Sequence, residues 1–357
     1  FLVKSSFGVD AALNRAKSFT PAYTVYNPDG TASQQDNTYS DLFKGQGYTS
    51  TWLWENTLNY IKDFGKHTIN AVGGITLQES RSEITNLSGE NVLRNGSDFW
   101  YITPAYIVDE ANNIDRVNSI FNGVDAGQYY NMMSFLGRAV YSYNDTYALT
   151  VTMRRDGSSK FSEKNRWGTF PSFAFAWNIN REKFMENLTL FDHLKVRASW
   201  GKIGNEKISY YDRYSRVQAG LLAVFGNPDA GYVASTYAKS GNPDLRWETT
   251  IQTDIGIEFN MLDNRLSAEL DYYNRNTNDI LVELSTPGHL GNGQGARIRY
   301  NAAEVENKGL EFNIKWEDNI GEVGYAVNAV GNTIKNRVLA VGGSSGIDSV
   351  LIGGNLA

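Results

Sequence analysis

The strongest constraint on this chain is a two-residue alternation in which one side is bulky and uncharged. Between Phe135 and Tyr143 every second residue is Phe135, Gly137, Ala139, Tyr141 and Tyr143, with Arg138, Ser142 and Asn144 on the other side. After Asn144-Asp145-Thr146 the alternation resumes as Tyr147, Leu149, Val151 and Met153 against Ala148, Thr150, Thr152 and Arg154. Period two marks strands, and a short polar turn between two such runs marks a β-hairpin. A third run sets Trp167, Phe173, Phe175, Trp177 and Ile179 against Gly168, Ser172, Ala174, Ala176 and Asn178.

The pattern recurs along the chain. Phe1–Val9 reads as a strand already in progress. Trp52, Trp54, Leu58 and Tyr60 are answered, across Lys62-Asp63-Phe64-Gly65, by Ile69, Ala71, Gly73, Ile75 and Leu77. Leu194, Val196, Ala198 and Trp200 oppose Lys195, Arg197 and Ser199. Ile251, Ile255, Ile257 and Phe259 oppose Glu248, Gln252, Asp254 and Glu258. Beyond Met261-Leu262-Asp263-Asn264, Leu266, Ala268, Leu270 and Tyr272 oppose Ser267, Glu269 and Asp271. The last pair sets Leu310, Phe312, Ile314 and Trp316 against Glu311, Asn313 and Lys315, followed by 323–332. The spacing of Phe184, Leu188 and Phe191 predicts one short helical cap within 180–193. The Gly-rich stretch from Val341 carries no strand pattern.

These strands are joined alternately by short turns and by long segments, at 10–47, 79–133, 201–247 and 276–304. Short turns at one rim, long loops at the other and an uncharged band between them describe an outer-membrane barrel. A Lys or Arg in mid-band would cost roughly 2–4 kcal/mol, which explains why the bulky faces have none. Tyr141, Tyr143, Tyr147, Trp200, Tyr272 and Trp316 lie near strand ends, where interfacial girdles sit. A soluble sandwich or propeller gives the same alternation, so both architectures stand at this level.

Composition narrows the function classes. With 21 Tyr, 17 Phe, 8 Trp and 34 Gly against 7 Pro in 357 residues, the chain favours strands and turns. A net charge of −6 without a basic block gives no footprint for nucleic acid. The lack of cysteine excludes disulfides, thiolate chemistry and Cys-containing metal sites. No run is long and apolar enough for a membrane helix, which says nothing against a barrel.

Catalytic chemistry finds no foothold. His67, His193 and His289 have no histidine or carboxylate at metal-ligand spacing, so neither metal nor cofactor is expected. Gly342-Gly343-Ser344-Ser345-Gly346 matches a nucleophile elbow only formally, because that elbow needs a buried strand before it and a helix after it. Gly291-Asn292-Gly293-Gln294-Gly295 reads as a loop. The binding candidates are the loop aromatics Trp100, Tyr101, Tyr129 and Tyr130, whose faces suit sugar rings and whose polar edges suit peptides. Arg155 and Asp156, beside Arg154, read either as a substrate-contacting cluster at a strand end or as a solvated turn with internal pairing. Arg138, Arg154, Glu248, Asp254 and Glu258 are expected to face a lumen or a plug.

Six segments carry a family resemblance: SFLGRAVYSYNDTYALTVTMRRDGSSKF (134–161), NRWGTFPSFAFAWNI (165–179), LKVRASWGKIGNE (194–206), NPDLRWETT (242–250), NRLSAELDYYNRNTNDIL (264–281) and VENKGLEFNI (305–314). In this order and spacing they resemble the SusC/RagA type of TonB-linked outer-membrane transporter, over most of residues 134–314. The resemblance implies a 22-stranded barrel plugged by a separate N-terminal domain, in the outer membrane of Bacteroidota-type bacteria. It implies import of oligosaccharides or peptides, energised through TonB, beneath a SusD-like surface lipoprotein. Receptors for iron chelates or cobalamin, and a soluble secreted adhesin, are the rival readings. The sequence shows no plug, TonB box or closing C-terminal strands. Its roughly eleven strands are therefore expected to be about half of one all-β, antiparallel barrel domain.

Overall fold

The computed structural model describes residues 1–37, 39–90, 97–100, 102, 105–108, 114–117, 121–186, 190–224, 231–285 and 297–341. The first strands are β1 (Leu2–Thr20), β2 (Asp41–Phe64), β3 (His67–Glu90), β4 (Ala105–Val108), β5 (Ile114–Val117), β6 (Phe121–Tyr143), β7 (Tyr147–Ser158) and β8 (Trp167–Asn178). There follow β9 (Phe191–Asn205), β10 (Arg216–Val224), β11 (Gly231–Lys239), β12 (Glu248–Met261), β13 (Leu266–Ser285), β14 (Arg297–Ile320), β15 (Val323–Asn332) and β16 (Lys335–Val341). Among the described residues there is no α-helix, only four 3₁₀ turns.

Two compact units form. One comprises Phe1–Ser6, Trp54–Leu77 and Met132–Ala357; the other comprises Phe7–Leu53 and Gln78–Asn131. The main sheet runs β1-β2-β3-β6-β7-β8-β9-β12-β13-β14-β15, with β16 also on β14. β10 pairs with β11, and β4 with β5, as separate two-stranded ribbons. β14 is long enough to hold two partners end to end, β15 along Glu311–Ile320 and β16 along Ala303–Lys308. At the junction Thr333 donates its backbone N–H to the Leu310 carbonyl at 2.8 Å. A Cβ on Gly309 would lie 1.8 Å from the Thr333 carbonyl oxygen, so only glycine admits this crossing.

In the first unit the register fixes the two faces. Tyr141 pairs with Leu149, Leu149 with Phe175, and Phe175 with Ala198. Ala198 pairs with Ile255, Ile255 with Tyr272, and Tyr272 with Leu310. These rungs make one continuous apolar face, and Leu149, Phe175, Ile255, Tyr272 and Leu310 are all exposed on it. The band from Tyr147 to Met153 measures roughly 20 Å along the strand, near the height of the apolar band of a membrane barrel. Turns at Gly65, Asn144-Asp145, Leu262-Asp263-Asn264 and Gly321 close one rim, and each uses positive φ. At Asn144 and Asp145 (φ 51° and 52°) this is the primed turn that matches strand twist.

The strands outrun their expected ends. β1 continues to Thr20 and β2 starts at Asp41, so the expected 10–47 loop shrinks to 21–40. Likewise β3 extends to Glu90, β6 starts at Phe121, β13 reaches Ser285 and β14 begins at Arg297. Past Leu77 both faces of β3 are polar, Glu79, Arg81 and Glu83 on one and Ser80 and Ser82 on the other, so alternation stops while the backbone ladder continues. The expected helical cap is instead two 3₁₀ turns, Ile179–Arg181 and Lys183–Met185. Phe184 is exposed and Phe191 already belongs to β9. Polar anchors set this path: Glu182 accepts from the Tyr147 hydroxyl and from Trp177 Nε1, and Arg181 pairs with Asp145 at 3.1 Å.

The described hydrophobic core sits at the long-loop end of the first unit: Phe161, Phe170, Ile208, Leu245 and Trp247, with Leu281 against them. Pro171 lacks the N–H that a ladder requires, and the β8–β9 ladder runs only from Ser172–Gly201 to Asn178–Lys195. Beyond it the Phe170 ring lies over Gly168 and Gly204, where added Cβ atoms would sit 2.3 and 2.1 Å from ring carbons. Trp247 packs on Phe161 and Phe170, with centroids at 5.1 and 5.4 Å, and donates Nε1–H to the Arg166 carbonyl at 3.2 Å. A buried Asp212 accepts from the Ser209 amide (2.9 Å) and pairs with Arg299 (3.0 Å).

Candidate functional site: the polar face and the loop aromatics

The polar face of the first unit lines a cavity of about 1310 Å³ with residues from β7, β8, β9, β12, β13, β14 and β15. Small residues form its floor on β7 and β8, namely Ala148, Thr150, Ala174 and Ala176. Charged and amide side chains project from the other strands because they occupy the alternate positions that the apolar face leaves free.

Arg197 on β9 organises these groups. Its guanidinium reaches Glu258 on β12 at 3.2 Å, and Glu269 and Asp271 on β13, with Asp271 Oδ2 at 2.6 Å. Lys195 joins Glu258 at 3.1 Å. Gly256 makes this span possible, since it pairs with Arg197 on one side and Asp271 on the other. A Cβ there would meet Asp271 Oδ1 at 2.1 Å and Arg197 Nε at 2.6 Å. A chain of hydrogen bonds continues the network: Ser199 to Asp254 (3.1 Å), Gln252 to Asp254 (2.8 Å) and Arg275 to Gln252 (2.8 Å). The result is a polar wall in which three cations, Lys195, Arg197 and Arg275, and four carboxylates, Asp254, Glu258, Glu269 and Asp271, hold one another, suited to line a passage.

The expected lumen residues share this face. Asp254 and Glu258 enter the network directly, and Glu248 accepts from Asn205 Nδ2 at 3.0 Å near the loop end. Arg138 pairs with Thr152 in the register, which puts it on the same side. Arg154 bonds Asp156 at 2.8 Å and Ser134 Oγ at 3.2 Å, and Asp156 is buried. The Arg155–Asp156 pair does not act together: Arg155 lies on the opposite, apolar face with its guanidinium 5.1 Å from the Trp167 ring. The stretch is strand rather than the expected turn, because β7 continues through it to Ser158, while the internal pairing expected of it is present between Arg154 and Asp156. Arg197, its central cation, was legible only as one polar position among many.

The aromatic candidates among the described residues belong to the second unit. Trp100 stacks on Phe19 (4.7 Å) with Lys17 Nζ 5.3 Å from its ring. Tyr129 and Tyr130 are successive residues of β6 and point to opposite sides. Tyr129 is half-exposed and donates to Glu79 at 3.0 Å, while Tyr130 is buried. Tyr101 lies outside the described residues, as do His289, 291–295 and 342–346. His67 shares a hydrogen bond with Tyr141 at 2.7 Å beside Phe64 and Tyr143, an aromatic cluster at the short-turn rim. No group of metal-ligating side chains occurs among the described residues.

The family described as TonB dependent receptor-like, beta-barrel, matches residues 4–348. The chain belongs to this family. Its apolar face is therefore the lipid-contacting surface of an outer-membrane barrel, crossed by strands. TonB-dependent receptor P26 of Formosa agariphila is 32% identical over 343 residues, 92% of this chain and 33% of that protein. TonB-dependent receptor SusC of Bacteroides thetaiotaomicron is 36% identical over 187 residues, 51% of this chain and 18% of that protein. Among solved structures, the RagAB peptide transporter superposes with a TM-score of 0.75 at 23% identity, covering 95% of this chain and 35% of that one. The chain thus spans about a third of the length of receptor P26, and its fold is a part of a SusC/RagA-type barrel wall.

Proposed function

We propose that the complete protein imports oligosaccharides or peptides across the outer membrane, with energy delivered through TonB, and that this chain supplies part of its barrel wall. The observation that carries the reading is the SusC likeness, 36% identity over 187 residues, together with a membrane-facing sheet whose other face is polar and laced with ion pairs. A SusD-like lipoprotein is the partner at the outer surface. The RagAB relative is a peptide transporter by its own description, which supports peptides beside glycans as cargo. Trp100 and Tyr129 are the proposed ligand-contacting aromatics, and Arg138, Arg154, Glu248, Asp254 and Glu258 the lumen or plug contacts. The chain holds and guides cargo and carries out no bond chemistry.

The test expresses the full-length gene together with a SusD-like lipoprotein of the same organism in a TonB-competent and a TonB-deficient host. Recovery of a stoichiometric complex in detergent, with uptake of labelled glycan or peptide only when TonB functions, is the expected result. Uptake that is indifferent to TonB, or recovery without any lipoprotein, overturns it.

A further inference from the structure

Several hydrogen-bonding side chains on the lipid-facing band find partners within the protein. Trp54 donates Nε1–H to Ser5 Oγ at 3.0 Å, Tyr141 shares a hydrogen bond with His67 at 2.7 Å, and Tyr147 and Trp177 both donate to Glu182. Asn56 on β2 departs from this rule. It shares a face with Trp54, Leu58 and Tyr60, set between Trp54 and Leu58, and its amide makes no hydrogen bond among the described residues. Thr253, likewise set between Ile251 and Ile255, instead stands at the polar end of the band, paired with Trp200 and Asn274.

Beside Asn56 the band is hollow. Gly74 faces the other way, where its Cβ would lie 2.9 Å from the Asn56 carbonyl oxygen, 3.1 Å from Thr57 Cγ2 and 3.6 Å from Leu136 Cδ2. Thr57 and Leu136 thus flank Gly74 on the two neighbouring strands, and the β3–β6 register is the one in which Asn144 donates its backbone N–H to the Lys66 carbonyl (2.6 Å). Carried along the ladder, it sets Gly73 opposite Gly137 and Ala71 opposite Ala139 on the lipid side. A Cβ on Gly73 or Gly137 would meet nothing within 4 Å. Leu58 and Tyr60 border this furrow on β2, and Met153 and Val151, paired with Gly137 and Ala139, border it on β7. Three strand spacings, about 14 Å, separate the two borders, which leaves room for a hydrocarbon chain.

We infer that Asn56 binds a membrane lipid with an amide-linked acyl chain, and that this chain lies in the Gly73–Gly137 furrow. A carboxamide is both donor and acceptor, so a second amide satisfies it fully, its N–H meeting Oδ1 and its carbonyl meeting Nδ2. The esters of a glycerophospholipid offer acceptors alone and leave Oδ1 unmet where no water reaches, which is costly. The direction of the furrow agrees with an outer-leaflet lipid. Long loops face outside and short turns the periplasm, and the furrow runs from Asn56 toward the short-turn rim. An amide just beneath the headgroup therefore meets Asn56 while its chain descends along the glycines. The occupant is lipid because the furrow is part of the surface that the barrel turns to the membrane.

The test uses the full-length protein, purified from membrane and placed in phosphatidylcholine nanodiscs with equal amounts of ceramide phosphoethanolamine and phosphatidylethanolamine. These two share a headgroup, and only the first carries an amide. Native mass spectrometry reads the lipid retained. Wild type should retain the ceramide lipid about 10-fold over the ester lipid, as two hydrogen bonds within a membrane imply. N56L should retain the two equally, and G137V, which fills the furrow without meeting a neighbour, should lower retention of both. Equal retention of the two lipids by wild type, an unaltered preference in N56L, or retention unmoved by G137V overturns the inference. So does a dimer that N56L dissolves, since a second copy would then cover this face. If N56L fails to assemble, N56A is read in its place with the same expectation. Import of cargo plays no part in this readout, so its outcome is independent of the transport proposal.

Discussion

Replacing Gly256 with alanine should open the Arg197 network without disturbing the strand around it. The added Cβ would stand 2.1 Å from Asp271 Oδ1 and 2.6 Å from Arg197 Nε, and both are ends of flexible side chains that can turn away. The cost is therefore the lost ion pairs with Asp271 and Glu269 rather than a backbone clash. The side chains involved are between 20% and 43% exposed, so each pair is worth no more than about 0.5–1 kcal/mol. The expected loss is about 1–2 kcal/mol, read as a shift of the urea midpoint of the full-length protein in detergent. The discriminating experiment is a double-mutant cycle with R197M. With the guanidinium gone, Asp271 is free to rotate, and G256A should cost less than about 0.5 kcal/mol. If G256A costs the same in both backgrounds, Gly256 is required for strand geometry and the spanning role assigned to it is wrong.

Val151, exposed in the middle of the lipid-facing band, gives a second test: V151R should destabilise the barrel by about 2–4 kcal/mol and lower its yield in the outer membrane, and normal yield and stability would refute the lipid-facing assignment. W247A removes the ring that joins Phe161 and Phe170, so it should cost about 3–5 kcal/mol and expose residues 206–247 to limited proteolysis. Asp29 titrates below its usual range, first because the Thr31 hydroxyl donates to it and then because the Thr31 amide does, at 2.9 Å. A depressed carboxylate stabilises its turn above the ordinary pKa of 3.8 and loses that contribution as pH falls through the folded value. Hydrogen exchange at the Thr31 amide should accordingly quicken only in acid, and D29N should quicken it at neutral pH.

Much of the fold was legible in the sequence because lipid imposes a one-sided rule. Where one face must be apolar, as from Tyr147 to Met153 or Leu266 to Tyr272, period two is forced and the strand declares itself. Where a strand continues with polar residues on both faces, as β3 does after Leu77 and β13 after Tyr272, nothing in the side-chain pattern separates strand from loop. The ribbon β10–β11 was hidden for a different reason, since it pairs only with itself inside a long connection. The site was less legible than the fold. Parity placed Asp254 and Glu258 on the polar face, but Arg197's reach across Gly256 depends on which residue of β13 lies opposite, a matter of register that one strand's sequence does not contain. Parity also separates Arg155 from Asp156, neighbours in sequence that the structure sends to opposite faces of the sheet.

The ribbon β10–β11 leaves and rejoins the wall at one tightly fastened point. Asn242 donates its backbone N–H to the Asp212 carbonyl (3.1 Å) and Gly241 donates to Ser215 Oγ (3.0 Å), while the Gly241 backbone passes so close to Tyr214 that a Cβ would lie 2.1 Å from its carbonyl carbon. Beneath this clasp lie Leu245 and Trp247 in the buried core. A segment held so firmly at its two ends makes little demand on what lies between them, because lengthening a closed loop costs only about 0.6 kcal/mol per doubling. The stretch from Arg216 to Ser240 is thus an exchangeable cassette. New binding surfaces could be drafted there, by selection or by design, while the wall that carries them is left untouched.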